Sequence, residues 1–447
     1  MRDQILTAII LVCACVALRR PVFGMLTFVW LGFFNPQGMT WGDTPHSLIM
    51  SVSTIVGYVT SSELKRFPLQ REAILLLLLW IAFGFSTVFA IYPARAMGPL
   101  TLVSKILLMV FFTMCVVNTE ERLHWLVRII AISLGFYAAK GFLFVVVTGG
   151  QYNVFGPNNS FLQANNMIGL ALVMNLPFLA YLVKKEEKLW LRWACRVMFF
   201  ASYPTVVFTY SRGAWLGLVA VTGLMALRSR YKFRLATAAV VAGLFLLPFA
   251  GVLIPERLVD RYEDLENYDT ESSAQMRFGS WAYCWKVAVD RPITGGGFDH
   301  YSAATYEKYA PEFLDEWGGK HRWRRTSCHS VWLSIIGEHG FFGATLWFGL
   351  IGSFLLSVWR IRAQTVARPE LIWMYELAGA LQSSLLAFAV VGTFIDATYF
   401  DMLYYLIAIV VILKERLENS QMVEALPQTA NIVDTRPLTT ATGAIIR

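Results

Sequence analysis

Long uninterrupted apolar runs separated by short polar connections set the pattern of this chain. The run at 73–90 is apolar throughout and does not alternate. Inside lipid every backbone polar group needs an internal partner, which leaves helices or a closed barrel, and continuous runs select helices. Candidate spans fall at 5–34, 47–60, 73–90, 100–117, 126–147, 161–183, 189–210, 214–227, 235–253, 330–358, 372–394 and 402–413. The predicted fold is all-α: a polytopic integral membrane protein of about twelve spans, counting 5–34 once. Arg19-Arg20-Pro21 interrupts that first run, and Pro21 allows either one broken crossing or a hairpin. Several runs are shorter than the roughly 20 residues of a straight crossing, so tilt or extension into polar flanks is expected.

One polar stretch breaks the pattern and divides the chain into amino-terminal membrane helices (1–254), a large loop (255–328), carboxy-terminal membrane helices (329–415) and an unpatterned polar tail (416–447). The loop is too aromatic for a disordered linker. Within it, 273–289 predicts an amphipathic helix on which Trp281, Trp285 and Ala288 share a face with Arg277, suited to a membrane surface. Arg291-Pro292 ends that helix before Gly295-Gly296-Gly297, and a basic, aromatic cluster runs from Lys320 through Trp323 to Arg325.

Composition agrees: 56% of residues are hydrophobic and 15% charged, with mean hydropathy +0.53, against about 25% charged in soluble domains. The net charge of +8 does not point to nucleic acid, because the basic residues are dispersed in short connections. Lys65 with Arg71, Lys184-Lys185, Arg228 to Arg234 and Arg360 with Arg362 assign their connections to the cytoplasm. The loops near Pro93, at 149–160, at Ser211-Arg212 and at 255–328 are then outside. Of six cysteines, only Cys284 and Cys328 lie in the polar stretch, where a disulfide is open to them if that stretch is extracytoplasmic; no spacing suggests zinc.

His329 stands at the water-facing start of the run 330–358. On a straight helix Gly340 and Gly343 lie about three and four turns further on, close to its face, where a second helix could pack. Arg212 sits in a very short turn between two spans, where an uncompensated charge is costly. A guanidinium stays charged and grips phosphate oxygens in pairs, so Arg212 and Arg277 with His329 suggest acceptor activation beside a phosphorylated lipid. Each residue also has a plainer reading: a structural hydrogen bond for the histidine, snorkelling to headgroups for the arginines.

His329-Ser330, nine residues, Gly340, two residues and Gly343 resemble the His-[Asn/Ser/Gln]-x9-Gly-x-x-[Gly/Thr/Tyr] signature of the bacterial O-antigen ligase family. Ser211-Arg212-Gly213, Arg277 and Pro292-Ile293-Thr294-Gly295-Gly296-Gly297 follow the family's order of parts, and the resemblance spans roughly 70–415. The first 60 residues, with Asn35-Pro36-Gln37 and Thr40-Trp41-Gly42, resemble exosortase-associated O-glycosylation ligases. Where the family often has an acidic residue before paired asparagines, this chain has Ala164, so only Asn165 and Asn166 carry over as substrate contacts, beside Ser330, Trp281 and Arg325.

The resemblance implies an inverting glycosyltransferase at the periplasmic face of the bacterial inner membrane, using neither metal nor cofactor. It would move a glycan from undecaprenyl diphosphate to lipid A-core, or to protein. His329 would be the base and Arg212 and Arg277 would hold the diphosphate. Trp281, Trp285 and Trp323 would line the acceptor path or, more simply, anchor the loop in membrane lipid. A repeat-unit polymerase of the same superfamily is the nearest alternative. A secondary transporter is the rival of another class, disfavoured because the distinctive polar residues gather at one membrane face and not at the midplane.

Overall fold

The computed structural model describes residues 2–39, 44–62, 65, 67–229, 272–311 and 327–425. Among them the regular structure is helical, with no strand. In chain order the helices are α1 (Arg2–Arg19), α2 (Pro21–Phe34), α3 (His46–Thr60), α4 (Arg71–Val88), α5 (Pro93–Val116), α6 (Glu120–Thr148), α7 (Asn165–Lys185) and α8 (Leu189–Val207). They continue as α9 (Arg212–Arg228), α10 (Ser272–Asp290), the short α11 (Ala303–Tyr309), α12 (Val331–Thr365), α13 (Ile372–Gly392) and α14 (Asp401–Ala425). Among the described residues, six segments are long and apolar enough to cross a membrane: α4, α5, α6, α7, α12, and α13 with the 3-10 turn before it; α2 and α3 are shorter apolar helices. This is an all-α membrane protein. The expected span at 235–253 lies outside the described residues.

The first apolar run is a hairpin. Arg20 alone separates α1 from α2, and Pro21 opens α2 where its missing N–H costs nothing. Leu6, Ile10, Ala14 and Ala17 of α1 form one apolar cluster with Leu31 of α2 and Met50 of α3, which a continuous helix could not bring together. Close approach is built on small residues: a Cβ at Gly24 would meet Ala17 and Thr54, and one at Gly57 would lie 2.2 Å from the Ala17 carbonyl oxygen.

Helix α14 differs from a lipid-facing span. Residues 402–413 are all buried, so this stretch is enclosed by other helices and meets protein on every side. Towards the α4 start, Lys414 donates to buried Glu72 at 2.8 Å, and Ser353 and Ser357 of α12 also donate to that carboxylate. A carboxylate with no exposed surface is tolerable because all these donors replace its water.

Helix α10 matches the predicted amphipathic helix within a residue at each end, but it packs along α12 instead of lying alone on a surface: a Cβ at Gly337 would meet Cys284 at 2.9 Å. Cys284 is joined to Cys328, with Cα atoms 6.3 Å apart, so α10 is tied to the residue next to His329.

Candidate active site

The straight helix expected below His329 is not there. Helix α12 begins at Val331 with Ser330 as its N-cap, and His329 lies before it in the left-handed region at φ 48°. Gly340 then breaks the helix, at φ 64° and ψ −173°. Among the described residues, no second helix packs on an aligned His329–Gly340–Gly343 face. The glycine-rich turn of the loop fills the break: Phe341 N–H donates to Pro292 O at 2.7 Å, Gly296 N–H to Gly337 O at 2.8 Å and Gly297 N–H to Glu338 O at 2.8 Å. The turn's other side meets the α4–α5 connection, where Ile91 N–H donates to Gly296 O at 2.8 Å and a Cβ on Gly297 would lie 2.1 Å from the Ala90 Cβ. Backbone approaches on both sides leave no room for side chains there.

Buried side chains lock this junction. Tyr301 O–H donates to Glu338 Oε1 at 3.1 Å, and Tyr399 O–H donates to Glu338 Oε2. His339 bonds the Tyr399 hydroxyl through Nε2 at 2.6 Å and Ser86 of α4 through Nδ1. Arg95, at the start of α5, makes a two-pronged contact with Asp299 at 2.9 and 3.1 Å and donates to Tyr301 O at 2.9 Å.

Against this frame, His329 is half-buried. Burial, the largest influence, pushes its pKa below the ordinary histidine value; the Asp396 carboxylate pulls it up, and the Arg277 guanidinium pushes it down. The lowered pKa favours the neutral imidazole, the form that can accept a proton. Asp396 sits in the α13–α14 turn, where Ser334 Oγ donates to it at 3.1 Å and Ser327 also bonds it. Burial raises the Asp396 pKa, while both serines and His329 lower it.

His329 and Asp396 line one cavity of about 1280 Å³, larger than the roughly 300–1,000 Å³ of drug-sized ligand sites. Its polar end also holds Glu338, Tyr399 and Asp299, and residues such as Val29, Val52, Leu102 and Ile106 of α2, α3 and α5 carry an apolar wall into the bundle. Val52 and Leu102 are themselves exposed, at 50% and 61%, so the apolar wall opens sideways toward lipid.

The sequence-predicted residues divide. Arg277 lies close enough to His329 for its charge to act on the imidazole. Arg212 is the first residue of α9, whose N-cap Ser211 accepts a hydrogen bond from Ala214 N–H, and the turn lies close to the Asp396 turn because a Cβ on Gly213 would touch Phe394 at 3.4 Å. Neither arginine is among the described residues that line the cavity. Asn165 Nδ2 donates to Thr209 O at 2.8 Å, which fastens the start of α7 to the Arg212 turn. The Asn166 Oδ1, Ser330 Oγ and Trp281 Nε1 atoms are buried without a partner among the described residues. Arg325 and Trp323 lie outside the described residues. Asp396, Glu338 and Tyr399 escaped the sequence reading; the one available signal was a pair of acids, at 338 and 396, within or beside apolar runs.

Residues 197–348 match the O-antigen ligase family. This stretch contains Arg212, Arg277, His329, Gly340 and Gly343, the residues on which the resemblance rested. Over that stretch the chain is similar to the O-antigen ligase family, which supports a place in the O-antigen ligase superfamily. Residues 1–187 match a family of unknown function, DUF5935, and it is this region that supplies α2, α3 and α5 to the cavity wall. Compared with curated proteins, the chain finds no match. At a coarse level, the match over 197–348 supports a glycan-transferring membrane enzyme.

Proposed function

We propose that the protein is an O-antigen ligase that moves a glycan from undecaprenyl diphosphate to lipid A-core at the periplasmic face of the inner membrane. The observation that carries this reading is the shape of the cavity: a base and a carboxylate at its polar end, continuous with an apolar wall open to lipid. A lipid-linked sugar donor has the same two halves. The cysteine pair beside His329 also favours an oxidising compartment such as the periplasm.

In the proposed reaction, His329 takes the proton from an acceptor hydroxyl as its oxygen attacks the anomeric carbon. The bond from that carbon to the diphosphate oxygen breaks, its electron pair stays with the diphosphate, and the anomeric configuration inverts. Arg212 and Arg277 oppose the charge growing on the leaving group. Asp396 faces the imidazolium that forms and stabilises it. The leaving group is already a good one, so the mechanism assigns no strong acid and no metal ion.

Purified protein supplied with lipid-linked glycan and both lipid A-core and periplasmic protein tests the reading in one competition. Transfer to lipid A-core supports it. Transfer to protein alone redirects it to an O-glycosylation ligase, and elongation of the lipid-linked glycan itself to a polymerase.

A further inference from the structure

The end of the bundle away from His329 holds a second cavity of about 740 Å³, between the α1–α2 hairpin tip and the start of α6. Its position follows from chain direction: α5 starts beside Arg95, bonded to Asp299 on the His329 side, and ends at Val116, whose carbonyl accepts from Arg122 of α6 at 3.0 Å. Three arginines, Arg19, Arg20 and Arg122, border the cavity, and no acidic side chain does among the described residues. Arg19 and Arg20 are exposed at the hairpin tip. Arg122 is held in place, because its guanidinium also donates to Asn118 Oδ1 at 3.0 Å.

The remaining walls are of another kind. Phe23, Leu26 and Trp30 on α2 face Trp125 and Ile129 on α6. Trp125 is 46% exposed and carries the Arg128 guanidinium 4.8 Å from its ring centre. Tryptophan at this level fits the boundary between headgroups and acyl chains, where one side of the ring is wet and the other apolar. Three cationic forks above an apolar slot between two helices match the two halves of a phospholipid: a phosphodiester oxygen pair for the guanidinium groups and an acyl chain for the slot.

We infer that this cavity binds one anionic phospholipid, phosphatidylglycerol or cardiolipin, at the membrane boundary opposite the transfer site. A zwitterionic headgroup fits less well, because its ammonium would meet the same three arginines. The inference does not depend on the glycan reading. It gives the Arg19-Arg20-Pro21 break a purpose beyond turning the chain: the hairpin places two guanidinium groups at one rim.

The test uses the full chain in nanodiscs of equal phosphatidylglycerol and phosphatidylcholine, released into native mass spectrometry. The wild-type protein is expected to retain phosphatidylglycerol over phosphatidylcholine. Arg19→Ala/Arg20→Ala should lower the retained phosphatidylglycerol about thirtyfold, from roughly 1 kcal/mol for each of two near-surface charges. Arg360→Ala, which removes an exposed charge from the far end of α12, should leave it unchanged, and Arg19→Lys/Arg20→Lys should restore most of the preference. Bulk-ratio retention by the wild type, or equal losses in the Arg19/Arg20 and Arg360 variants, overturns the inference. Thermal unfolding of each variant in the same nanodiscs separates lipid loss from misfolding.

Discussion

Phe341 donates its backbone N–H to the carbonyl of Pro292 at 2.7 Å, so the glycine-rich turn of the loop is built into the break of α12. The first glycine of the histidine signature is therefore a backbone requirement. Gly340 has φ 64°, and a Cβ there would lie 2.6 Å from Pro292 O.

Gly340→Ala is expected to destabilise the protein by about 2–4 kcal/mol, combining the left-handed penalty with overpacking. Gly349→Ala, on the same helix with helical geometry and open space at its Cβ, should be neutral or stabilising by up to about 1 kcal/mol. Unfolding midpoints of the two variants in detergent check the contrast; equal shifts would remove the special role of Gly340.

The acid limb of transfer should fall below the ordinary histidine value, since the neutral imidazole is the active form and burial lowers the His329 pKa. Asp396→Asn removes a charge that raises this pKa, so the limb moves to lower pH; Arg277→Ala removes one that lowers it, so the limb moves up. The rate of His329 modification by diethyl pyrocarbonate against pH, read by mass spectrometry, reports both shifts even in an inactive variant. Shifts of the same sign in the two variants would contradict the arrangement.

His329→Ala should reduce turnover by about 10²–10⁴-fold, the range for losing a general base. Retention of wild-type turnover would remove His329 from that role.

Arg212→Ala is expected to raise the donor KM by roughly 10–100-fold, the worth of a charge-assisted hydrogen bond of about 1.5–3 kcal/mol, with protein abundance unchanged. Arg212→Lys should recover part of it, keeping the charge and losing the fork. Donor titrations at fixed acceptor decide, and an unchanged donor KM sinks the assignment.

Cys284→Ser/Cys328→Ser should cost about 2–5 kcal/mol by releasing a 44-residue separation, and should depress turnover because Cys328 precedes His329. Thiol counting on denatured protein, with and without reductant, gives the pairing directly; six reactive thiols before reduction would exclude it.

How much of this was legible along the chain depends on range. Continuous apolar runs gave the helices, because hydrophobicity in lipid and the need for internal backbone bonding act locally; the 273–289 prediction against the observed Ser272–Asp290 is an instance. The Ser211-Arg212-Gly213 turn and the spacing of His329 from its glycines were local too, and sufficed to name candidate chemistry. The sequence alone thus determined a helical membrane protein, a family resemblance and three candidate site residues. Tertiary structure decided the rest. It broke α12 at Gly340, since only the arrival of Pro292 and Gly295 from the loop reveals why the backbone must turn there. It folded 5–34 into a hairpin through contacts with α3, placed Asp396 beside His329 across 67 positions of sequence, and spent Asn165 on Thr209. Electrostatic and steric terms between residues far apart in sequence have no periodicity to announce them. They exist only once the helices have packed.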